Sequence, residues 1–277
     1  MAGTETPQLE KPESEKDELA GSEMPLLDHL VELRTRLMYS IIAIAVLFIG
    51  CFIVSNWIFN LLLGPYKAAV KNIEDVHLIY TAPQEFFFTQ MNVAFFGAIF
   101  LAFPVIATQL YMFVAPGLYK KERKAFLPYL VATPIFFLLG ACLVYFGVMP
   151  MALRFFLNMQ EGGPGSVTIT MQTRVSEYLS LIMTLILAFG VCFQLPVVLT
   201  LLAQIGVVGS DFLKKGRKYA IVIILIIAAL LSPPDPLSQI GLSVPMYLLY
   251  EFSIQSVRWV ERRRAVKEAA EKAAAGE

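Results

Sequence analysis

The 277-residue chain is short of charge: only 16% of its residues are Asp, Glu, Lys or Arg, where a soluble domain carries about 25%. Histidine and cysteine are scarcer still, at 2 and 3. His29 and His77 lie outside the apolar runs, while Cys51, Cys142 and Cys192 lie inside them without metal-ligand spacing. The cysteines therefore read as small packing residues, and no metal site is expected. There is no HExxH, no intramembrane aspartate pair and no glycine-rich phosphate loop. Those gaps remove the usual routes to metal-assisted hydrolysis, to hydrolysis within a membrane and to ATP use. The expectation is a protein that is not an enzyme, with no catalytic residue and no cofactor. Formal net charge is +0, so bulk charge identifies no partner, and no nucleic acid is expected. A cleavable signal peptide is also missing. Residues 1–25 are acidic (Glu10, Glu13, Glu15, Asp17, Glu18, Glu23) and have no apolar core. That composition predicts a disordered, solvated tail.

What the chain has in abundance is apolar length: 57% of residues are hydrophobic and mean hydropathy is +0.65. Six runs stand out: Leu37–Leu63, Phe86–Ala115, Phe126–Leu157, Tyr178–Val208, Tyr219–Leu231 and Leu237–Val257. Glycine and proline clusters separate them. About 20 apolar residues span a bilayer core of roughly 30 Å. The fold class predicted is all-α, a polytopic membrane protein of six transmembrane helices. The fifth run, about 20 Å long as a helix, is too short for that core, so the fifth and sixth helices are expected to thin the bilayer nearby. Pro104, Pro134, Pro150, Pro196 and Pro245 interrupt the runs, which predicts bent helices and a curved bundle.

Basic residues flank alternate ends of these runs. Arg34 and Arg36 precede the first, and Lys120, Lys121, Arg123 and Lys124 follow the second. Lys214, Lys215, Arg217 and Lys218 follow the fourth, and Arg258, Arg262, Arg263 and Arg264 follow the sixth. The opposite connections carry few cations. By the positive-inside rule both termini are cytoplasmic.

The remaining polar residues are candidates for function. Leu26, Leu30, Leu33 and Leu37 recur at helical spacing, which predicts a short amphipathic helix before the first span. Within it Glu32 and Arg36 are four apart and can pair. Glu122 stands alone among four cations. A carboxylate in a first helical turn is favourable by about 0.3–1 kcal/mol; at a partly desolvated surface it can also accept a guanidinium bidentately. The residues alone leave both roles open. Gln194, ahead of Pro196, needs a hydrogen-bond partner at its depth; a freed backbone carbonyl and a polar residue on another protein's helix are both open. Glu251 is expected to pair locally, near Arg258. In "SPPDP" (232–236), Asp235 is placed to cap the sixth helix with Pro236 at its first position. A secondary permease for a small solute is the alternative function, but midplane charges and paired repeats are lacking.

Taken together, "HLVELRTRL" (29–37), "GPY" (64–66), "FVAPGLYKKERK" (113–124), "FGVCFQLPV" (189–197) and "SPPDPLSQIGLSVPMYLLYE" (232–251) resemble the TatC family, the core membrane subunit of the twin-arginine protein translocase. The resemblance covers about residues 26–257. It implies a receptor and scaffold in the bacterial cytoplasmic (inner) membrane that binds twin-arginine signal peptides of folded proteins. It implies a signal-binding patch of Glu32, Arg34, Phe113 and Glu122, and a docking site for TatB or TatA helices at Gln194, Ser232 and Gln239. Pro65 and Asp235 mark turns, and a homo-oligomer within the complex is implied. Many bacterial members carry glutamate where this chain has Gln194, so a buried carboxylate or proton relay is not expected here. The domain reading is a 1–25 tail, a 26–257 six-helix unit and a 258–277 charged cytoplasmic tail.

Overall fold

The computed structural model describes residues 13–70, 78–114, 123–158, 173–204, 206–231 and 236–275. Its elements are α1 (Glu13–Ile53), α2 (Ser55–Leu62), α3 (Gly64–Ala69), β1 (Leu78–Ile79), α4 (Glu85–Val114), α5 (Arg123–Leu143), a π-helical turn (Val144–Val148), α6 (Met149–Asn158), β2 (Thr173–Arg174), α7 (Val175–Cys192), α8 (Leu195–Gln204), α9 (Ser210–Leu231) and α10 (Pro236–Ala275). Among the described residues the fold is all-α apart from one two-stranded parallel pair, in which Leu78 faces Thr173 and Ile79 faces Arg174. Among the described residues, four segments are long and apolar enough to cross a membrane: His29–Ile53, Glu85–Phe113, Pro128–Leu157 and Val175–Gln204. The fifth and sixth apolar runs fall in α9 and α10, whose charged ends leave shorter apolar stretches.

The amphipathic helix expected before the first span does not exist as a separate element. α1 is continuous from Glu13 to Ile53, so helical backbone also extends into the segment whose composition suggests disorder. Glu, Lys, Leu and Ala in that stretch are good helix formers. At the other end, the first apolar run is not one continuous helix: its spanning part ends at Ile53 and two bends follow. Helix α1 stops at Val54 (φ −99°, ψ 14°), and α2 stops before Gly64–Pro65. No Gly or Pro stands at the bend itself, and Gly50, one turn earlier, is inside α1, which is why the first bend was not legible. Asn56 is used there instead: its Oδ1 accepts from Gln90 Nε2 of α4 at 2.9 Å.

Proline sets the other bends. Pro150 has no N–H for the carbonyl four residues earlier, and its ring crowds that carbonyl. The preceding turn widens to the π form, with Met149 N–H reaching Val144 O. Pro196 acts likewise on the fourth run, which breaks at Phe193–Gln194. At the far end, α10 runs on without interruption past Val257 to Ala275.

The core lies where α4, α5 with its π turn, α7 and α10 meet, around Val93, Val144, Met149, Leu179, Ile182, Phe189, Leu242 and Met246. Helices α5 and α7 approach closely because each has a glycine at the crossing. A Cβ on Gly140 would sit 2.7 Å from the Phe189 carbonyl oxygen, and one on Gly190 would overlap the Phe137 ring. Two tyrosine hydroxyls tie the α2–α3 corner to this core: Tyr145 donates to Leu61 O at 2.7 Å and Tyr178 to Leu62 O at 2.8 Å.

Candidate functional site

The first candidate surface lies where α1, around residues 29–36, meets the C-terminal end of α4. Glu32 and Arg36 fall on one face of α1 and pair at 3.0 Å, each side chain about one-third exposed. The same guanidinium reaches Gln109 Oε1 at 3.3 Å and Met112 Sδ at 3.2 Å on α4. One turn earlier, the His29 ring stacks on Phe113, with centroids 4.2 Å apart and planes inclined by 17°. Glu32 and Phe113 are thus brought to the same α1–α4 seam. Arg34 is exposed on a different face of α1 and has no hydrogen bond or ion pair to any described residue. Glu122 lies outside the described residues. His29 was not singled out by sequence reasoning; a lone flanking histidine carries no signal that it stacks on a ring 84 positions later.

Gln194 sits at the α7–α8 break, buried. Its Nε2 donates to Thr133 O on α5 at 3.0 Å and to Gly190 O at 3.3 Å. Gly190 O lacks its usual acceptance because Gln194 N–H turns to Val191 O instead. The side chain therefore repairs the helix break from within. Its Oε1 is buried without a partner among the described residues. Nearby, the Thr133 hydroxyl lies 2.9 Å from Tyr129 O and 3.2 Å from the Tyr111 hydroxyl.

The third surface is between α9 and α10. Gln239 Nε2 donates to Leu225 O at 3.2 Å, while its Oε1 accepts no bond from a described residue. Next to it, a groove of about 280 Å³ is lined by Ile221, Leu225, Ile240, Val244, Tyr247 and Leu248, among others. Ser232 and Asp235 lie outside the described residues. The local pairing expected for Glu251 is only half of what is found: Tyr247, one turn back on α10, donates to one oxygen at 2.9 Å, but Arg217 Nη2 of α9 reaches the other at 2.8 Å, across 34 residues.

On the opposite side of the protein, Pro65 is buried at the start of α3, beneath which Tyr66 meets Tyr178 edge-on at 5.3 Å. Glu85 was also missed in the sequence. Its carboxylate accepts from Thr81 N–H at 2.8 Å, from Thr81 Oγ1 at 3.0 Å and from Ser176 Oγ. It thereby ties the β1 connection to the start of α7 and supports the β1–β2 pair. At the start of α9, Lys214 holds the Asp211 carboxyl below the usual carboxylate range. Among the described residues no cluster of His, Cys, Asp or Glu could hold a metal.

Comparison with known proteins gives a consistent result. The family model described as Sec-independent protein translocase protein (TatC) matches residues 28–245. The chain is similar to the Sec-independent protein translocase protein TatC of Magnetococcus marinus, with 48% identity covering 90% of this chain and 89% of that protein. Similarity to the same-named protein of Rickettsia prowazekii is 39%, covering 86% and 94%. For Escherichia coli K12 it is 37%, covering 83% and 86%. Among solved structures, a crystal structure described as twin arginine translocase receptor TatC superposes with a TM-score of 0.72 at 35% identity, covering 84% of this chain and 99% of that one.

Proposed function

The chain belongs to the TatC family of Sec-independent protein translocase proteins, and from that membership we propose that it is the receptor and scaffold of a twin-arginine translocation complex. As a translocase subunit it is a membrane protein and not an enzyme. In this reading six helices cross the bacterial cytoplasmic membrane with both termini inside, as the distribution of Lys and Arg supports. Twin-arginine signal peptides of folded proteins bind at the cytoplasmic face, at Glu32, Arg34, Phe113 and Glu122. TatB or TatA helices dock near Ser232 and Gln239, and several copies assemble in one complex. Gln194 serves docking only indirectly, because its amide already holds α5 to the α7–α8 break.

The observation that carries the receptor reading is the α1–α4 seam: a half-buried carboxylate, Glu32, beside an aromatic stack at the end of the first span. A guanidinium is matched by the carboxylate, and the apolar part of a signal by the rings. A charge-assisted bond of this kind contributes about 1.5–3 kcal/mol. Glu122→Gln and Glu32→Gln should therefore each weaken crosslinking of an Arg-Arg signal peptide while the protein still inserts. Unchanged signal crosslinking in both variants sinks the assignment.

A further inference from the structure

We infer that Arg217, Glu251 and Tyr247 form a positioning network that sets the spacing of α9 and α10, and with it the shape of the groove that receives a partner helix. The inference rests on the docking reading above. Both carboxylate oxygens of Glu251 are engaged, one by Arg217 of α9 at 2.8 Å and the other by Tyr247 of α10 at 2.9 Å. The ion pairs Arg36–Glu32, Arg174–Glu177 and Lys214–Asp211 each join residues only three or four apart in sequence. Arg217–Glu251 instead joins two helices. A second bond supports it, Tyr250 donating to Leu213 O on α9 at 2.7 Å.

Tyr247 connects this network to the groove. It lines the groove together with Ile221 and Leu225 of α9, while its hydroxyl donates to Glu251. At the opposite end of the groove the Gln239 amide bonds Leu225 O. The same two helices are thus fastened by polar contacts at both ends, with an open apolar wall between. The occupant follows from chemistry. Gln239 Oε1, next to the groove-lining Ile240, accepts no bond from a described residue, and acyl chains have no donor. A transmembrane helix with a hydroxyl, amide or other donor at that depth satisfies it, while its apolar face packs in the groove. One such bond sets register; its strength depends on α9 and α10 holding their spacing.

The test uses the full chain in lipid nanodiscs with TatB co-expressed. Spin labels at Ile223 and Phe252, both exposed, report the α9–α10 distance, and a photocrosslinker at Val244 reports helix docking. In Glu251→Gln the distance distribution should lengthen and broaden, and the Val244 crosslink to TatB should fall severalfold. The swap Arg217→Glu with Glu251→Arg should restore both, which a loss of general stability would not. Tyr247→Phe keeps the ring and removes one bond, so it should give an intermediate effect even if Glu251→Gln fails to accumulate. An unchanged distance in these variants overturns the network while leaving docking standing. A longer distance with unchanged crosslinking also overturns the inference. Absence of the Val244 crosslink in the unsubstituted protein defeats the docking reading itself.

Discussion

Replacing Gly140 by alanine should destabilise this protein, although helix propensity alone favours the change. Alanine is better than glycine inside a helix by about 0.8–1 kcal/mol. At Gly140 the new methyl would lie 2.7 Å from the Phe189 carbonyl oxygen, closer than packed atoms allow. Overfilling a packed contact costs about 1–3 kcal/mol. The obstacle here is backbone of the neighbouring helix, not the end of a flexible side chain, so the upper half of that range applies. The net expectation is a loss of about 1–2 kcal/mol. Gly190→Ala should act in the same direction. Its methyl meets the Phe137 ring, which cannot retreat because it is stacked on Phe103 with centroids 3.8 Å apart. Gly50 in α1 is the control: nothing lies within 4 Å of its added Cβ, so Gly50→Ala should gain up to ~1 kcal/mol. The assay is the unfolding midpoint of purified protein in detergent, followed by the accessibility of Cys192 at the end of α7. If Gly140→Ala proves as stable as Gly50→Ala, the α5–α7 crossing is not close and the core described above is wrong.

Arg36 is the internal occupant of Glu32, so Arg36→Gln should free that carboxylate at the cost of an i, i+4 pair worth about 0.3–0.5 kcal/mol. Signal-peptide titration should then show about twofold tighter binding; weaker binding would make Arg36 part of the receiving surface. Gln239→Leu should shift or weaken TatB and TatA crosslinks without affecting insertion or signal binding, and the reverse pattern would show that the two sites have been exchanged. Four leucines added to the apolar part of α9 should impair transport and remove the local bilayer thinning. Normal core thickness beside the native α9, measured in lipid, would refute the idea that its length matters.

Some of this was legible in the residues. Scarce charge and long apolar runs fix the membrane class, because a backbone in hydrocarbon must satisfy its own hydrogen bonds as helix. The bends at Pro150 and Pro196 follow from a missing N–H and a ring clash within one helical turn. The Glu32–Arg36 pair follows from four-residue spacing. Each rule operates over a few residues, so the chain carries it whatever the packing.

What tertiary structure decided is the identity of partners across helices. Glu251 has the local partner its position suggests, Tyr247, but its ion pair is with Arg217 on α9. Gln194 takes a carbonyl 61 residues away, Arg36 a side chain 73 away and Glu85 a hydroxyl 91 away. Even the bend at Val54 belongs with these, since α2 is held by the Asn56–Gln90 bond to α4 and not by a breaker. A polar group shut away from water must find a donor or acceptor on whichever helix lies beside it. Which helix that is depends on how closely the backbones approach, as at Gly140 and Gly190, and no periodicity along the chain encodes that neighbour.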